Sequence, residues 1–462
     1  MRVLKGVENK LGVASGTFFL TVTTLIIKIV GALYKVPLFN LLKSDGMGLY
    51  QMVFPLFALC ITLSGGYATA CITKLISSGY NAECVLKKSL QLFIPLGILL
   101  FSILFILGEV IARAQGNELG GALYKAISPA LIFTSVICCF RGYFQGYSDY
   151  KPTAISQIVE QVVKVAVALV LIWAFNAVAI RGAIFACLAV TVSEGTACFY
   201  LVTLYFKRKK TLVVEGEQIS KSKLFFASLP LCFTSLCMPL ATFSDSFIVI
   251  NGLKNFFGEN ATAIYGLYAG GVETVITLPV NFLHSFVCGF LPKLCRSNES
   301  GMQKKMFILV AAVAFIFSAA VYIFAPFAVK LLYKASENRQ LLTNLIRAAS
   351  FNVLLLSLLQ TSSTALLVAN GQYFSLLSMP IAVAVKIYIN LKLVPTSKFN
   401  VFGVVISDFA CYFVALSLNL LYIYYSKKSK NEGRKNENYS RGIRNGLGYR
   451  NLARLKSNKK CR

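Results

Sequence analysis

Residues 18–75 read FFLTVTTLIIKIVGALYKVPLFNLLKSDGMGLYQMVFPLFALCITLSGGYATACITKL. Two long apolar runs flank a short polar turn, Lys43-Ser44-Asp45-Gly46. Each run is long enough for one helical crossing of a bilayer, which takes about 20 mostly apolar residues. The first run carries a cation at its centre, Lys28, followed by Gly31. A charge inside hydrocarbon is costly, so a retained one usually faces a wet cavity or a partner.

The pattern continues along all 462 residues. Hydrophobic residues make up 56% and charged residues 14%, where a soluble domain carries about a quarter charged. Ser89–Gly108, Met306–Val329 and Ala348–Val385 contain no charge at all. The window rule gives about twelve spans: 11–34, 48–72, 89–112, 122–146, 154–176, 182–206, 224–250, 261–290, 306–332, 342–369, 373–394 and 401–426. Prolines fall inside many of them (Pro55, Pro95, Pro129, Pro239, Pro279, Pro326, Pro380), as in bundles whose helices kink and rock. The expected fold class is an all-α polytopic membrane protein with two six-helix lobes.

The formal net charge is +28. In a soluble chain this would suggest nucleic acid. Here most cations lie in loops and in the tail, where they set topology and meet anionic headgroups. With the N-terminus inside, the inside segments hold 31 Lys+Arg and the outside segments 11. Both termini are therefore expected on the cytoplasmic side of the plasma membrane, with no nucleic-acid partner. The longest inside loop, 207–223, divides the chain into lobes 1–206 and 224–426. The halves echo each other. Gly48-Leu49-Tyr50 matches Gly266-Leu267-Tyr268, and Val163-Lys164-Val165 matches Val385-Lys386-Ile387, both at offsets of about 220 residues. Because six is even, such a repeat keeps its orientation and predicts two bundles around a central cavity. The basic tail 427–462 cannot bury a core and is expected to be disordered. It serves either as a contact for anionic inner-leaflet lipid or as a plain solubilising, topology-locking segment.

Thirteen cysteines show no metal-ligand spacing, and thiols in lipid behave as small hydrophobes. His284 is the single histidine, too few for a metal cluster. Trp173, near the end of the fifth span, suits an interfacial anchor. Gly65-Gly66 and Gly270-Gly271 suit helix packing better than phosphate cradling. No Walker, HExxH or GxSxG pattern occurs. With short outside loops as well, this argues against an enzyme acting on lipid-linked sugars.

Residues 25–38 (LIIKIVGALYKVPL), 46–57 (GMGLYQMVFPLF) and 145–165 (QGYSDYKPTAISQIVEQVVKV) resemble the polysaccharide-transport branch of the MATE-like (MOP) flippase superfamily. Within it they are most similar to the stage V sporulation protein B group and the lipid II flippases. The resemblance covers 1–426. It implies two six-helix lobes, alternating access, and an undecaprenyl-diphosphate-linked sugar moved from inner to outer leaflet. Cell-wall synthesis enzymes would then be partners. Lys28 matches the cation that family members place in the wall of the first-helix cavity, and Lys35 falls where relatives carry a second. Many members of the sporulation group have fourteen spans. In the lipid II branch two extra helices form a groove for the lipid tail, and this chain has a basic tail in their place.

A diphosphate headgroup needs cations where water is scarce. The candidates are Lys28, Lys35, Lys164 and Lys386. Lys28 has no carboxylate within helical reach. Lys164 has Glu160 four residues earlier, and the two could simply pair. Lys386 lacks an acid at helical spacing but lies toward the end of its span, where it could snorkel. Asp245, Glu273, Glu194 and Asp408 are intramembrane acids, either parts of an ion or proton relay or members of interhelical bridges. Asp245, flanked by hydroxyl residues, is the best candidate for a coupling-ion site, completed by Asn390 and Asp408. Relatives in the lipid II branch bind sodium near this part of the seventh span, so Na+ or H+ coupling is the expectation, with no other cofactor. A cation-coupled multidrug antiporter of the same fold would favour cavity acids over lone lysines. A non-transporting scaffold would leave the intramembrane charges unexplained.

Overall fold

A computed structural model describes residues 2–177, 179–208, 217–296, 300–334, 338–368 and 374–426. The tail 427–462, the turn Asn370-Gly371-Gln372 and residues 209–216 of the loop 207–223 lie outside the described residues. The helices are α1 (Arg2–Ile61), α2 (Ala68–Ser77), α3 (Ala82–Gln115), α4 (Gly120–Ile127), α5 (Ala130–Gly146), α6 (Lys151–Ala174), α7 (Ile180–Arg208), α8 (Lys221–Phe257), α9 (Ala261–Gly266), α10 (Glu273–Arg296), α11 (Ser300–Leu332), α12 (Arg339–Val368) and α13 (Ser375–Leu393), followed by α14 (Phe402–Ser426).

Among the described residues, nine helical stretches are long and apolar enough to cross a bilayer. Two of them, Val22–Ser77 and Ser235–Val287, contain 56 and 53 residues. At about 1.5 Å per residue each is more than twice the thickness of a hydrocarbon core. The first breaks at Lys43, where φ is 57° and ψ −172°. The second breaks near Gly258, where φ is 55°. Each therefore crosses twice. With the 19-residue α13, the rods correspond one for one to the twelve expected spans. The polar turn 43–46 shrinks to a single-residue break. Pro129 lies inside the single span Gly120–Gly146, at the junction of α4 and α5, where Ser128 and Pro129 keep helical backbone angles.

Local signals set several ends. Asn81 caps α3 by accepting from the Cys84 N–H at 2.9 Å, and Gly116, with φ 101°, closes it. Ser220 caps α8 by accepting from Lys223 N–H. Two wide, π-type turns interrupt the rods, at Thr62–Gly66 and Leu267–Val272. Gly65, with φ 127°, is there for its backbone freedom. Gly270 and Gly271 lie against Met47 and Leu342, as packing positions do.

The outer faces are apolar. Along α11, Phe315, Ile316, Ile323, Phe324 and Phe327 are each more than 60% exposed. A continuous face of that kind is stable only against hydrocarbon, so the chain is a multi-pass membrane protein.

One end of the bundle is sealed across both halves of the chain. Near the Lys43 break, Leu38, Phe39, Leu42, Met47 and Met52 of α1 are fully buried with Val249, Leu253, Tyr333 and Leu342. Polar ties reinforce this end. Asn40 Nδ2 donates to Leu332 O at 2.7 Å, Asn117 Nδ2 to Thr262 Oγ1 at 3.0 Å, and Gln115 Nε2 to Ser246 Oγ at 3.0 Å. Here the two echoing segments meet. A Cβ on Gly48 would lie 2.1 Å from Thr262 O, and one on Gly266 would lie 2.5 Å from Gly48 N. Only glycine permits this approach of backbone to backbone. Beside it, Gln51 Nε2 donates to Ala269 O at 3.0 Å. A second buried cluster draws on α2, α3, α5, α7 and the start of α8, with no member from α10 to α14 among the described residues.

Candidate functional site

Three of the four candidate lysines lie on neighbouring turns of two packed helices, α1 and α6. Lys28, Gly31 and Lys35 occupy one stripe of α1, at helical spacings of three, four and seven. Gly31 lies against the Gln161 side chain of α6, its would-be Cβ 3.3 Å from Nε2. Lys164 follows Gln161 by one turn on α6. From the neighbouring helix, α10 sets Glu273 within electrostatic reach of Lys35 and His284 within reach of Lys28. Lys164 is also within electrostatic reach of Lys35. Among the described residues, no carboxylate approaches Lys28, Lys35 or Lys164 within the ion-pair distance of 4.0 Å.

Glu160 does not pair with Lys164, contrary to the simple reading of their spacing. It accepts from Arg141 of α5 at 3.0 Å, and Arg141 Nε also donates to Ser156 Oγ at 3.0 Å. Two glutamine atoms on the Lys164 face of α6, Gln157 Oε1 and Gln161 Nε2, are buried without a hydrogen-bond partner. Sequence reasoning overlooked both, because a glutamine in an apolar run gives no signal until its surroundings are known.

Beside this group lies an apolar cleft of about 430 Å³ between α1, α10 and α11. Ile29, Leu33, Val36, Leu278, Phe282 and Phe317 line it. The cleft thus begins one residue from Lys28.

Lys386 has different surroundings. It is 4% exposed and lies between two acids brought in by other helices. Its Nζ is 2.5 Å from Asp245 Oδ2 on α8 and 2.6 Å from Asp408 Oδ1 on α14. Asn390, one turn along α13, donates from Nδ2 to Asp245 Oδ1 at 2.7 Å. Tyr268, in the wide turn before α10, donates its hydroxyl to Asp408 Oδ2. Asp245, Asn390 and Asp408 therefore come together as the sequence suggested, with the Lys386 ammonium between the carboxylates. Lys386 neither snorkels nor stands free. Its acids were invisible at helical spacing because both are more than 20 residues away in sequence. Tyr268 was noticed only as part of an echo, and nothing local marks it as the donor to Asp408.

Of the remaining intramembrane acids, Glu194 of α7 is 8% exposed and lies within electrostatic reach of Glu160, Arg141 and Lys164. Trp173 is 80% exposed at the end of α6. No group of three or more metal-ligating side chains occurs among the described residues.

The helical architecture is the fold seen in solved MATE family transporters. An inward-facing multidrug resistance MATE family transporter superposes with a TM-score of 0.67 at 14% identity, covering 89% of this chain and 99% of the other. A MOP superfamily transporter from Pyrococcus furiosus, described as having reversed polarity in its binding pocket, gives 0.59 at 13% identity over 90% and 96%. The chain belongs to the polysaccharide biosynthesis protein family, whose model matches residues 13–296. Among characterised relatives, the lipid II flippase MurJ of Bacillus subtilis is 25% identical over 82% of this chain and 77% of its own length. Stage V sporulation protein B of the same organism is 25% identical over 63% and 59%.

Proposed function

We propose that this protein is a flippase that moves a polyprenyl-diphosphate-linked saccharide, a cell-wall or polysaccharide precursor, from the inner to the outer leaflet of the plasma membrane. The observation that carries the reading is the group Lys28, Lys35 and Lys164. These are intramembrane cations with no carboxylate within 4.0 Å among the described residues, grouped beside an apolar cleft. An amphipathic anion with a long hydrocarbon tail matches that pairing. The diphosphate takes the ammonium groups as point charges, and the tail takes the cleft or the surrounding lipid. Gln157 Oε1 and Gln161 Nε2, buried without a hydrogen-bond partner, belong to amide groups available to phosphate or sugar. A multidrug antiporter for cationic drugs would meet these lysines as repulsion.

The transport cycle follows from the same layout. Residues 1–206 and 224–426 act as two lobes that rock against each other and expose the lysines to one side at a time. The charge distribution supports cytoplasmic termini, with the sealed Lys43 end outside. In this state the substrate enters from the inner leaflet, and the crossing of Gly48 with Gly266 is the outer gate. The tail meets anionic inner-leaflet lipid, and cell-wall synthesis enzymes receive the product.

Native mass spectrometry of the purified full-length protein tests the reading. The wild type should carry a polyprenyl-diphosphate species whose mass names the sugar, and Lys28→Gln should lose it. Wild type and variant both free of such lipid would remove the reading.

A further inference from the structure

The coupling site suggested by the sequence was a place for a free monovalent cation among Asp245, Asn390 and Asp408. The residues present do not fit one. A metal ion held by both carboxylates would sit about 2.3–2.6 Å from their oxygens, the range that oxygen ligands give a hard cation. That position is already occupied: Nζ of Lys386 is 2.5 Å from Asp245 Oδ2 and 2.6 Å from Asp408 Oδ1. Of the remaining carboxylate oxygens, Asp245 Oδ1 accepts from Asn390 and Asp408 Oδ2 from Tyr268.

The arrangement is a cation-binding cage in its own right. Five helical elements contribute to it or face it. α8 supplies Asp245, α13 supplies Lys386 and Asn390, and α14 supplies Asp408 with Tyr412 beside it. The wide turn before α10 supplies Tyr268, and α10 brings Glu273 within electrostatic reach. Lys35 of α1, in turn, is within reach of Glu273. Asp245, Asn390 and Asp408 are between 0 and 3% exposed, so no bulk water dilutes their charge. Two carboxylates this close and this dry demand a positive charge.

We infer that Lys386 is a built-in substitute for the coupling cation: its tethered ammonium permanently occupies the monovalent-cation site of Asp245, Asn390, Asp408 and Tyr268, so that this protein works without binding sodium. Emptied of that side chain, the same cage should accept a sodium ion or a small primary ammonium ion. The inference does not depend on the identity of the cargo.

The test is thermal unfolding of the full-length protein in detergent. NaCl, KCl and n-propylammonium chloride are each titrated at constant ionic strength against choline chloride. The wild type should unfold at the same temperature in all four salts. Lys386→Ala should unfold at a lower temperature in choline and show a saturable upward shift with sodium or propylammonium. The control Lys386→Ala/Asp245→Asn, which removes one charge of each sign, should lose that response. A saturable sodium shift in the wild type would overturn the inference, since the site would then hold a free ion beside the lysine. So would a Lys386→Ala protein indifferent to every cation. If Lys386→Ala cannot be purified, the wild-type titration decides alone. Lipid analysis of the same samples keeps this result separate from the flippase reading, because either can fail without the other.

Discussion

Replacing Gly48 by alanine should open the sealed end of the bundle. The Cβ added at Gly48 would meet Thr262 O at 2.1 Å and Thr262 C at 2.7 Å. Ordinary contacts of this kind begin at 3.4 Å, so the two backbones must separate by more than 1 Å. No side chain can rotate out of the way, because the obstacle is main chain on both sides. Overpacking of well-fitted positions costs about 1–3 kcal/mol. For a protein that alternates between a closed and an open crossing, the whole cost falls on the closed state. The closed-to-open ratio should then drop by about 5- to 150-fold. The assay is peptide-resolved labelling of Ala263→Cys by a water-soluble maleimide. Ala263 lies in α9 and is 8% exposed, so its labelling rate reports opening. The rate should rise at least about fivefold when Gly48→Ala is added. Gly266→Ala should act the same way, and the pair should fall short of additive, because one opened crossing accommodates both methyl groups. A lower unfolding temperature with unchanged labelling would refute the reasoning: the crossing would then be a fixed part of the fold and not a gate.

Two further outcomes follow from particular contacts. Arg141→Met strands Glu160 in a position only 24% exposed and removes the bond to Ser156; it should cost about 1–3 kcal/mol in unfolding experiments, because the pair braces α5 against α6. Tyr268→Phe removes the donor to Asp408; in a double-mutant cycle with Gly48→Ala, read by the Ala263→Cys labelling rate, it should show a coupling of about 0.5–3 kcal/mol, and strict additivity would disconnect the crossing from the Lys386 cluster.

The twelve rods were legible in the sequence because hydrocarbon admits so few solutions. Backbone groups must pair within the segment, so a window of apolar residues already specifies a helix and its approximate length. The breaks were legible only roughly. Lys43-Ser44-Asp45-Gly46 reads as a four-residue loop, yet α1 turns at Lys43 alone and resumes at once. The site was legible in its members and not in its pairings. Lys28, Lys35, Lys164, Asp245, Asn390, Asp408 and Lys386 all stand out as polar residues in apolar runs. Which of them meet depends on helix packing, and helical spacing reaches only i±4 on one's own helix. That is why Glu160 was matched to Lys164, its neighbour on α6, when its partner Arg141 lies on α5. It is also why Lys386 was left as either a cavity cation or a snorkelling lysine, when Asp245 and Asp408 reach it from α8 and α14. Gly48 and Gly266 were noticed as an echo. Their contact could not be read from the echo, since a repeat says that two segments are alike and not that they touch.

The crossing and the cation cage are physically continuous. Gly266 lies under Gly48 at the sealed end. The wide turn Leu267–Val272 starts at the next residue, and its second residue, Tyr268, holds Asp408. Its third, Ala269, accepts from Gln51 of α1. One short segment is thus gripped by α1 on one side and by the Lys386 cluster on the other. A π-type turn carries one more residue than the α-helix it interrupts, and such turns are common at functional sites. The hypothesis that follows, tested by the cycle above, is that separating Gly48 from Gly266 moves Tyr268 away from Asp408. Asp408 would then lose its neutral donor and rely more on the ammonium of Lys386. A tethered cation suits that demand, because it can follow the carboxylate by rotating its own side chain, whereas a free ion would have to be recaptured in every cycle. On this reasoning the internal lysine removes one ligand from the transport cycle and leaves the proposed flippase governed by its cargo alone.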